Sequence, residues 1–342
     1  MKMNKICKHP FNSIQIQNTG DVYCCCCYWT GFYSFGNIFE KTFDEIWNGE
    51  KAKEFRKQFI ENNFKYCNLS VCEPYLDEIT PEYIAEYPEK IEFSYDRHCN
   101  VRCIFCREKE NKEENEYNRK KEKRIEENFD RIFSPIIKKA KHIDLNSAGE
   151  LFASKHSMEI VKKIIKINPN ISFGIISNGI LFNETNTKQL DLEDRINSVI
   201  ISIHATKEKT YNKLIKKGNF KSVMTNLKYL SELKKKKEQF KDFQLNFVVT
   251  SINYKEMKPF VKLAKSIGAR AFFINYHKQI DSDKLMNNLD ITIPSHPKYN
   301  KFVKYLKDDI FNDKSCILSD YFKKLKPVKH SLKANIINLF KK

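Results

Sequence analysis

The sequence predicts an α/β protein built on a parallel sheet, with a small cysteine-rich α+β region ahead of it. Three observations predict this. Six short apolar runs rich in Ile, Val and Phe recur between residues 90 and 277. Longer amphipathic stretches separate them, as in right-handed strand–helix–strand units. Seven of the 11 cysteines fall before residue 77, ahead of the first of these units. Six units suggest an incomplete (β/α)6 barrel or an open curved sheet, with ligands at the carboxyl ends of the strands.

The elements follow in order. "IQIQ", "NTGD" and "VYCCCC" (residues 14–27) read as a β-hairpin. Strand alternation would point Cys24 and Cys26 one way and Cys25 and Cys27 the other. Pro74, Pro81 and Pro88 punctuate a stretch that suits a linker, taken as 77–89. The strands are then 90–96, 142–146, 171–177, 198–204, 243–250 and 269–276. They are short and continuously apolar, as strands buried on both faces are. Helical patterns lie between them at 156–167, 220–237 and 254–268. Gly268 suits a helix stop, and Pro259 is tolerable only in a first turn. Residues 107–128 are almost wholly charged and read as an exposed helix or loop. Residues 278–342 read as a helical extension, with helices near 297–311 and 317–325. The expected domains are thus 1–76, 90–277 and 278–342.

Composition limits the function. The formal charge is +18, from 61 basic and 43 acidic residues, and the excess is spread along the chain as lysine. Such lysines usually make solvated faces, so nucleic acid is not an expected partner. No apolar run is long enough to span a bilayer. The opening residues have no apolar signal-peptide core, so a cytoplasmic location is expected. An odd cysteine count in a long chain of that compartment argues against a disulfide framework and for metal or redox chemistry.

The central constellation is "SYDRHCNVRCIFCRE", directly after the first barrel strand. It sets Cys99, Cys103 and Cys106 in C-x3-C-x2-C order. Three thiolates in one loop can hold a cubane cluster and leave one iron open, since such a cluster takes four ligands. Zinc is the competing reading. It needs a fourth ligand, and the adjoining His98 is awkwardly placed to serve.

This motif resembles the radical SAM signature, with Phe105 at its aromatic position. The resemblance implies a 4Fe–4S cluster whose open iron binds S-adenosylmethionine (SAM). It implies reductive cleavage to a 5′-deoxyadenosyl radical, which takes a hydrogen from substrate. It also implies a donor such as ferredoxin or flavodoxin. Further segments are similar to the family's. Ala148, Gly149 and Glu150 stand where Gly-Gly-Glu is usual. Ser177, Asn178 and Gly179 resemble the end of the third strand. Ser202 is implied at the SAM ribose or carboxylate, and Lys216 or Lys217 at the carboxylate. His204 and Asn253 are weaker candidates.

The amino-terminal stretch resembles SPASM/Twitch domains, which carry auxiliary iron–sulfur clusters. The shared pieces are "CKHPF" at Cys7, "GDVYCC", "GNI", "FDEIW", Cys67 and Cys72. The family pattern implies Cys7, Cys25, Cys67 and Cys72 as ligands of one auxiliary 4Fe–4S cluster. Cys24, Cys26 and Cys27 are then spare, and small buried packing is expected of them. A second auxiliary cluster using them with Cys316 fits the count but not the geometry. In most relatives this domain follows the barrel; here it precedes it.

The expected function is oxidation or cross-linking of a peptide or protein side chain. The alternatives are a dehydrogenase or epimerase acting on a sugar or nucleotide-sugar, a methyltransferase or tRNA-modifying enzyme, and an iron–sulfur regulator that binds nucleic acid.

Overall fold

The computed structural model describes all residues except 1–3, 18, 62, 70–75, 80–84, 95, 107–115, 146–148, 277–287 and 327–342. In chain order the elements begin with β1 (Asn4–Cys7), α1 (His9–Asn12), β2 (Ser13–Gln17), β3 (Asp21–Tyr23) and β4 (Gly36–Asn37). Then come α2 (Phe43–Trp47), α3 (Glu50–Ile60), β5 (Leu76–Ile79), β6 (Lys90–Ser94), β7 (Arg102–Cys103), α4 (Glu116–Ile132) and α5 (Ser134–Lys139). The barrel series continues with β8 (His142–Leu145), α6 (Lys155–Ile167), β9 (Ser172–Ser177), α7 (Glu184–Gln189) and β10 (Ile196–Ser202). After it come α8 (Glu208–Leu214), β11 (Ile215–Lys216), α9 (Phe220–Lys236) and β12 (Asp242–Val249). The last elements are α10 (Met257–Ser266), β13 (Arg270–Asn275), α11 (Tyr299–Tyr305), β14 (Cys316–Leu318) and α12 (Asp320–Leu325).

The chain forms two compact units. The first comprises residues 1–203 and 211–244; the second comprises 204–210 and 245–342. In the first, β6, β8, β9 and β10 are parallel neighbours in that order. Ile91, Phe93, Ile143, Leu145, Phe173, Ile175, Val199 and Ile201 are among their buried positions. Alternation is clear in β6 and β8, where every second residue is only half-buried.

The amino-terminal hairpin is continuous with this sheet. β2 pairs parallel with β6, from Ser13 opposite Lys90 to Gln17 opposite Ser94. On its other side β2 pairs antiparallel with β3, with Gln15 opposite Tyr23. Ala85 and Glu89, at the end of the stretch read as a linker, are held as well. Ala85 N donates to Phe11 O at 3.0 Å, Glu89 N to Asn12 O at 2.8 Å, and Trp47 Nε1 to Ala85 O at 2.9 Å. The turn at Gly20 needs glycine. Its φ is +87°, and a Cβ there would lie 2.3 Å from the Phe39 ring.

The strand alternation expected of the four cysteines is corrected by the structure. β3 ends at Tyr23, and β4 reaches only to its Asp21 and Val22. Beyond that no ladder partner continues among the described residues. Cys27 N instead donates to the side chain of Gln15 at 2.9 Å, and turns run on from Cys26 and Cys27.

In the charged segment 107–128, the helical part from Glu116 on is likewise more than an exposed surface. α4 is amphipathic and buries Ile125 and Phe129, with the Phe129 and Phe133 rings 5.5 Å apart. In the second unit, Phe247, Phe260 and Phe273 form a cluster with ring centroids 4.7–5.8 Å apart. Gly268 stops α10 at φ +68°, and Pro259 sits in its first turn. The extension holds a strand where the sequence suggested only helix: β14 adds in parallel to β13.

Candidate functional site

The loop after β6 is fastened before it reaches its first cysteine. Asp96 is 4% exposed, and its Oδ1 accepts from His98 N at 2.8 Å and lies 3.0 Å from His98 Nδ1. Its other oxygen accepts from Ser157 in the first turn of α6. Burial alone would raise the Asp96 pKa, but bonds from His98, Ser154 and Ser157 hold it below the usual carboxylate range. Glu122 of α4 lies 3.1 Å from the same His98 nitrogen. The loop is thereby tied to two helices.

Cys99, Cys103 and Cys106 are all half-buried. Cys103 ends β7, which pairs antiparallel with β11, so that Cys103 faces Ile215 and Arg102 faces Lys216. Ile104 N extends the ladder to Leu214 O at 2.9 Å. Cys106 N then donates to Cys103 O at 3.1 Å, closing a turn that carries Phe105, also half-buried.

The loop after β8 meets this one backbone to backbone. Glu150 N donates to His98 O at 2.5 Å. A Cβ on Gly149 would lie 2.0 Å from that same oxygen, which is why glycine stands there. Glu150 is 1% exposed, with Ser177 Oγ donating at 2.8 Å and Asn178 N at 2.7 Å. Burial pushes its pKa up to about 7 despite these bonds. The Asn178 side chain closes the circuit by donating to Asn100 Oδ1 at 2.8 Å. Loops from the carboxyl ends of β6, β8 and β9 are thus locked together.

One buried atom shows that this site fits a further group. Tyr211 is fully buried, and its hydroxyl has no hydrogen-bond partner among the described residues. Burial raises its pKa, and the charges of Cys103, Cys99 and Glu150 raise it further, so it lies near all three. A buried donor beside thiols calls for an acceptor. Three thiolates with that donor suit an iron–sulfur cluster with one iron open to an external ligand.

Other expected residues are placed differently. Ser202 ends β10 and is half-buried. Lys216 is exposed, and its amine reaches back to Asn212 O at 3.4 Å. Lys217 holds φ +59°. His204 is buried in the second unit at φ +60°, and its Nδ1 accepts from Val248 N at 3.0 Å. Burial lowers its pKa to about 3, so the ring is neutral. Asn253 donates to the His204 and Val248 carbonyls at 2.9 Å. These bonds tie both side chains to backbone of the second unit. Ala148 lies outside the described residues.

In the amino-terminal region Cys7, Cys24 and Cys27 are buried, while Cys25, Cys26 and Cys67 are half-buried. Cys72 lies outside the described residues. The sulfurs of Cys24 and Cys25 are 3.6 Å apart. The hydrogen bond with Cys24, then burial, push the Cys25 thiol well up. A similar bond with Cys26 and burial push Cys27 up. The strand register gives this group its position. Tyr23 is level with Gln15, and Gln15 with Glu92. The chain therefore enters the cysteine run at the middle of β6, heading for its amino end. Cys99, Cys103 and Cys106 follow its carboxyl end.

Sequence reasoning missed Asn100, Tyr211 and the Asp96–His98–Glu122 anchor. Asn100 stood inside the cysteine motif and Tyr211 inside "TYNKLIKKGNF", but their partners are distant in sequence.

The family model for the radical SAM superfamily matches residues 93–264. The model for SPASM, an iron–sulfur cluster-binding domain, matches residues 7–73. No curated protein matches the chain. Among solved structures, Streptococcus suis SuiB bound to S-adenosylmethionine is similar at 15% identity and TM-score 0.45, over 80% of this chain and 62% of that one. anSMEcpe with bound AdoMet is similar at 20% identity and TM-score 0.44, over 67% of this chain and 63% of that one. Queuine lyase from Clostridium spiroforme, bound to SAM and queuine, is similar at 12% identity and TM-score 0.40, over 65% and 86%. The chain thus spans less than two thirds of the length of the first two.

Proposed function

Since this chain belongs to the radical SAM superfamily, we propose that it oxidises or cross-links a peptide or protein side chain. Its cofactors are SAM, a SAM-binding 4Fe–4S cluster and the iron–sulfur cluster of its SPASM domain. Bound at the site, cluster and SAM supply a 5′-deoxyadenosyl radical able to take hydrogen from an unactivated carbon. The chain's residues bind, orient and shield that chemistry.

The observation that carries the reading is the locked meeting of three loops at the carboxyl ends of β6, β8 and β9. Cys99, Cys103 and Cys106 would hold the cluster. Glu150, fixed by Ser177 and Asn178, braces the loop whose backbone would face SAM. Phe105 and Ser202 stand at the same end of the strands. Lys216 would need to leave Asn212 to reach a carboxylate.

The SPASM-type region supports a peptide over a sugar, because enzymes it resembles often act on peptide side chains. The excess of lysine suits an acidic substrate. Cys7, Cys25, Cys67 and Cys72 would hold the auxiliary cluster. The strand register favours its use as an electron relay rather than as a substrate anchor. Enzymes of this superfamily need an external reductant, and ferredoxin or flavodoxin would serve. Among the described residues no helix is long and apolar enough to cross a membrane.

The test is anaerobic reconstitution followed by incubation with SAM, a low-potential reductant and short acidic peptides. The expected result is a brown protein with about eight irons that forms 5′-deoxyadenosine and leaves a peptide lighter by two hydrogens. Zinc in place of iron, or no 5′-deoxyadenosine, would overturn it. Turnover confined to sugars would overturn the substrate class alone.

A further inference from the structure

Tyr28, Trp29, Phe32 and Leu69 are 39–58% exposed. They make up four of the seven large apolar side chains exposed among the described residues. The Tyr28 and Phe32 rings meet edge to face at 5.1 Å. Asn68 N donates to Trp29 O at 2.7 Å, which brings Leu69 to the same turn. That turn hangs from the cysteine run. Trp29 N donates to Cys26 O at 2.8 Å, and Phe32 N to Cys27 O at 3.0 Å. Gly31 and Phe32 both hold left-handed backbone, at φ +54° and +62°. Phe32 adopts it at a steric cost, and its ring is the most exposed of the four. A cleft of about 500 Å³ is lined by Phe32, Tyr33, Lys65, Tyr66 and Cys67. The patch therefore borders both segments from which the auxiliary cluster would take Cys25 and Cys67.

Size, place and charge narrow what this surface meets. The four side chains expose roughly 400 Å². That is an unusual concentration for a surface, yet about half the ~800 Å² per partner of a stable complex. Brief electron-transfer encounters use such small areas. The strand register adds the place. The chain enters the cysteine run level with the middle of β6, heading for its amino end. A substrate of the radical has to reach the loops at the carboxyl end instead. Local charges nearly balance: Lys53 pairs with Glu50 at 3.1 Å and Lys57 with Glu61 at 3.7 Å. Long-range attraction comes from the formal charge of +18, which draws acidic proteins.

We propose that this aromatic patch is the docking surface of an acidic electron-donor protein of flavodoxin or ferredoxin type, through which the auxiliary cluster is reduced. The inference rests on the reading that the amino-terminal cysteines hold a relay cluster. One electron passes from donor to cluster; the donor is oxidised and the cluster reduced by one electron, and no bond is made or broken. Phe32 and Trp29 are the contacts that hold the donor, and Lys65 at the cleft supplies a charge beside them.

The test uses the reconstituted full chain with Phe32→Gly and with Trp29→Ala. Glycine suits the left-handed backbone at position 32, so that variant removes the ring without disturbing the turn. Binding of a bacterial flavodoxin is measured by surface plasmon resonance. 5′-Deoxyadenosine formation is driven in parallel by reduced flavodoxin and by dithionite, a small reductant that needs no docking. In each variant the Kd for flavodoxin should rise about tenfold, as when an aromatic anchor leaves an interface. The flavodoxin-driven rate should fall while iron content and the dithionite-driven rate hold. Added salt should weaken flavodoxin binding to the parent. Should Trp29→Ala lose iron, Phe32→Gly decides alone. An unchanged Kd, or equal loss of both rates, would overturn the proposal. So would variants that bind flavodoxin normally but acidic peptide weakly, or a parent dimer that the variants disperse. Full iron in a parent that does not bind flavodoxin sinks the docking surface alone. A parent holding about four irons rather than eight removes the auxiliary cluster and this inference with it.

Discussion

Glu150 is a carboxyl group that the fold prefers protonated. Its ordinary pKa near 4.5 rises to about 7 through burial. The protonated form is therefore favoured in the folded state. The stability it contributes is complete below about pH 4.5 and is lost as pH rises through 7, in all on the order of 3 kcal/mol. Glu150→Gln should remove this slope. Unfolding midpoints of the metal-free chain and the variant, compared between about pH 5 and 8, should diverge, the parent losing ground as pH rises; parallel profiles would refute the assignment. Beside it, Gly149→Ala drives a Cβ to 2.0 Å from His98 O. It should cost about 1–3 kcal/mol in urea unfolding, and an unchanged midpoint would show that the loops do not meet as described. Tyr211→Phe deletes a buried donor beside Cys99 and Cys103. The SAM-binding cluster should become harder to reduce in that variant, as titration of its magnetic resonance signal would reveal.

At the level of elements, β6, β8, β9, β10, β12 and β13 were each legible to within about two residues of their ends. Each is a short apolar run with turn residues on both sides, and the buried face of each strand leaves little choice of residue. Gly268 and Pro259 marked the limits of α10 for equally local reasons. What could not be read depends on partners far along the chain. β7 and β11 are two residues each and exist because Cys103 meets Ile215. β14 is a strand only because β13 offers it an edge. The end of β3 at Tyr23 was hidden because the side chain of Gln15, not a ladder carbonyl, receives Cys27 N. In α4 the charges masked an apolar stripe. Phe129→Ala should therefore cost about 3–5 kcal/mol, while Lys123→Ala on the exposed face should stay within about 0.5 kcal/mol. Denaturant unfolding of the two separates a packed helix from a solvated one.

Across the whole molecule, the cysteine spacing at 99–106 was readable because one short loop supplies all three sulfurs. The brace from Glu150, Ser177, Asn178 and Asn100 was only half readable: its motifs were visible, but not that they close on one another. Removing Cys99, Cys103 and Cys106 together should abolish 5′-deoxyadenosine formation and leave roughly half the iron; iron equal to the parent's would count against the site. The parallel ladder between β2 and β6 bears on how the chain can be divided. Without residues 1–89, β6 would keep β8 on one side and present bare amides and carbonyls on the other. Such an open margin recruits strands from other chains. A barrel fragment cut at residue 90 should accordingly precipitate or self-associate on expression, so the amino-terminal region acts as a selvage for the sheet as well as a home for its own cysteines.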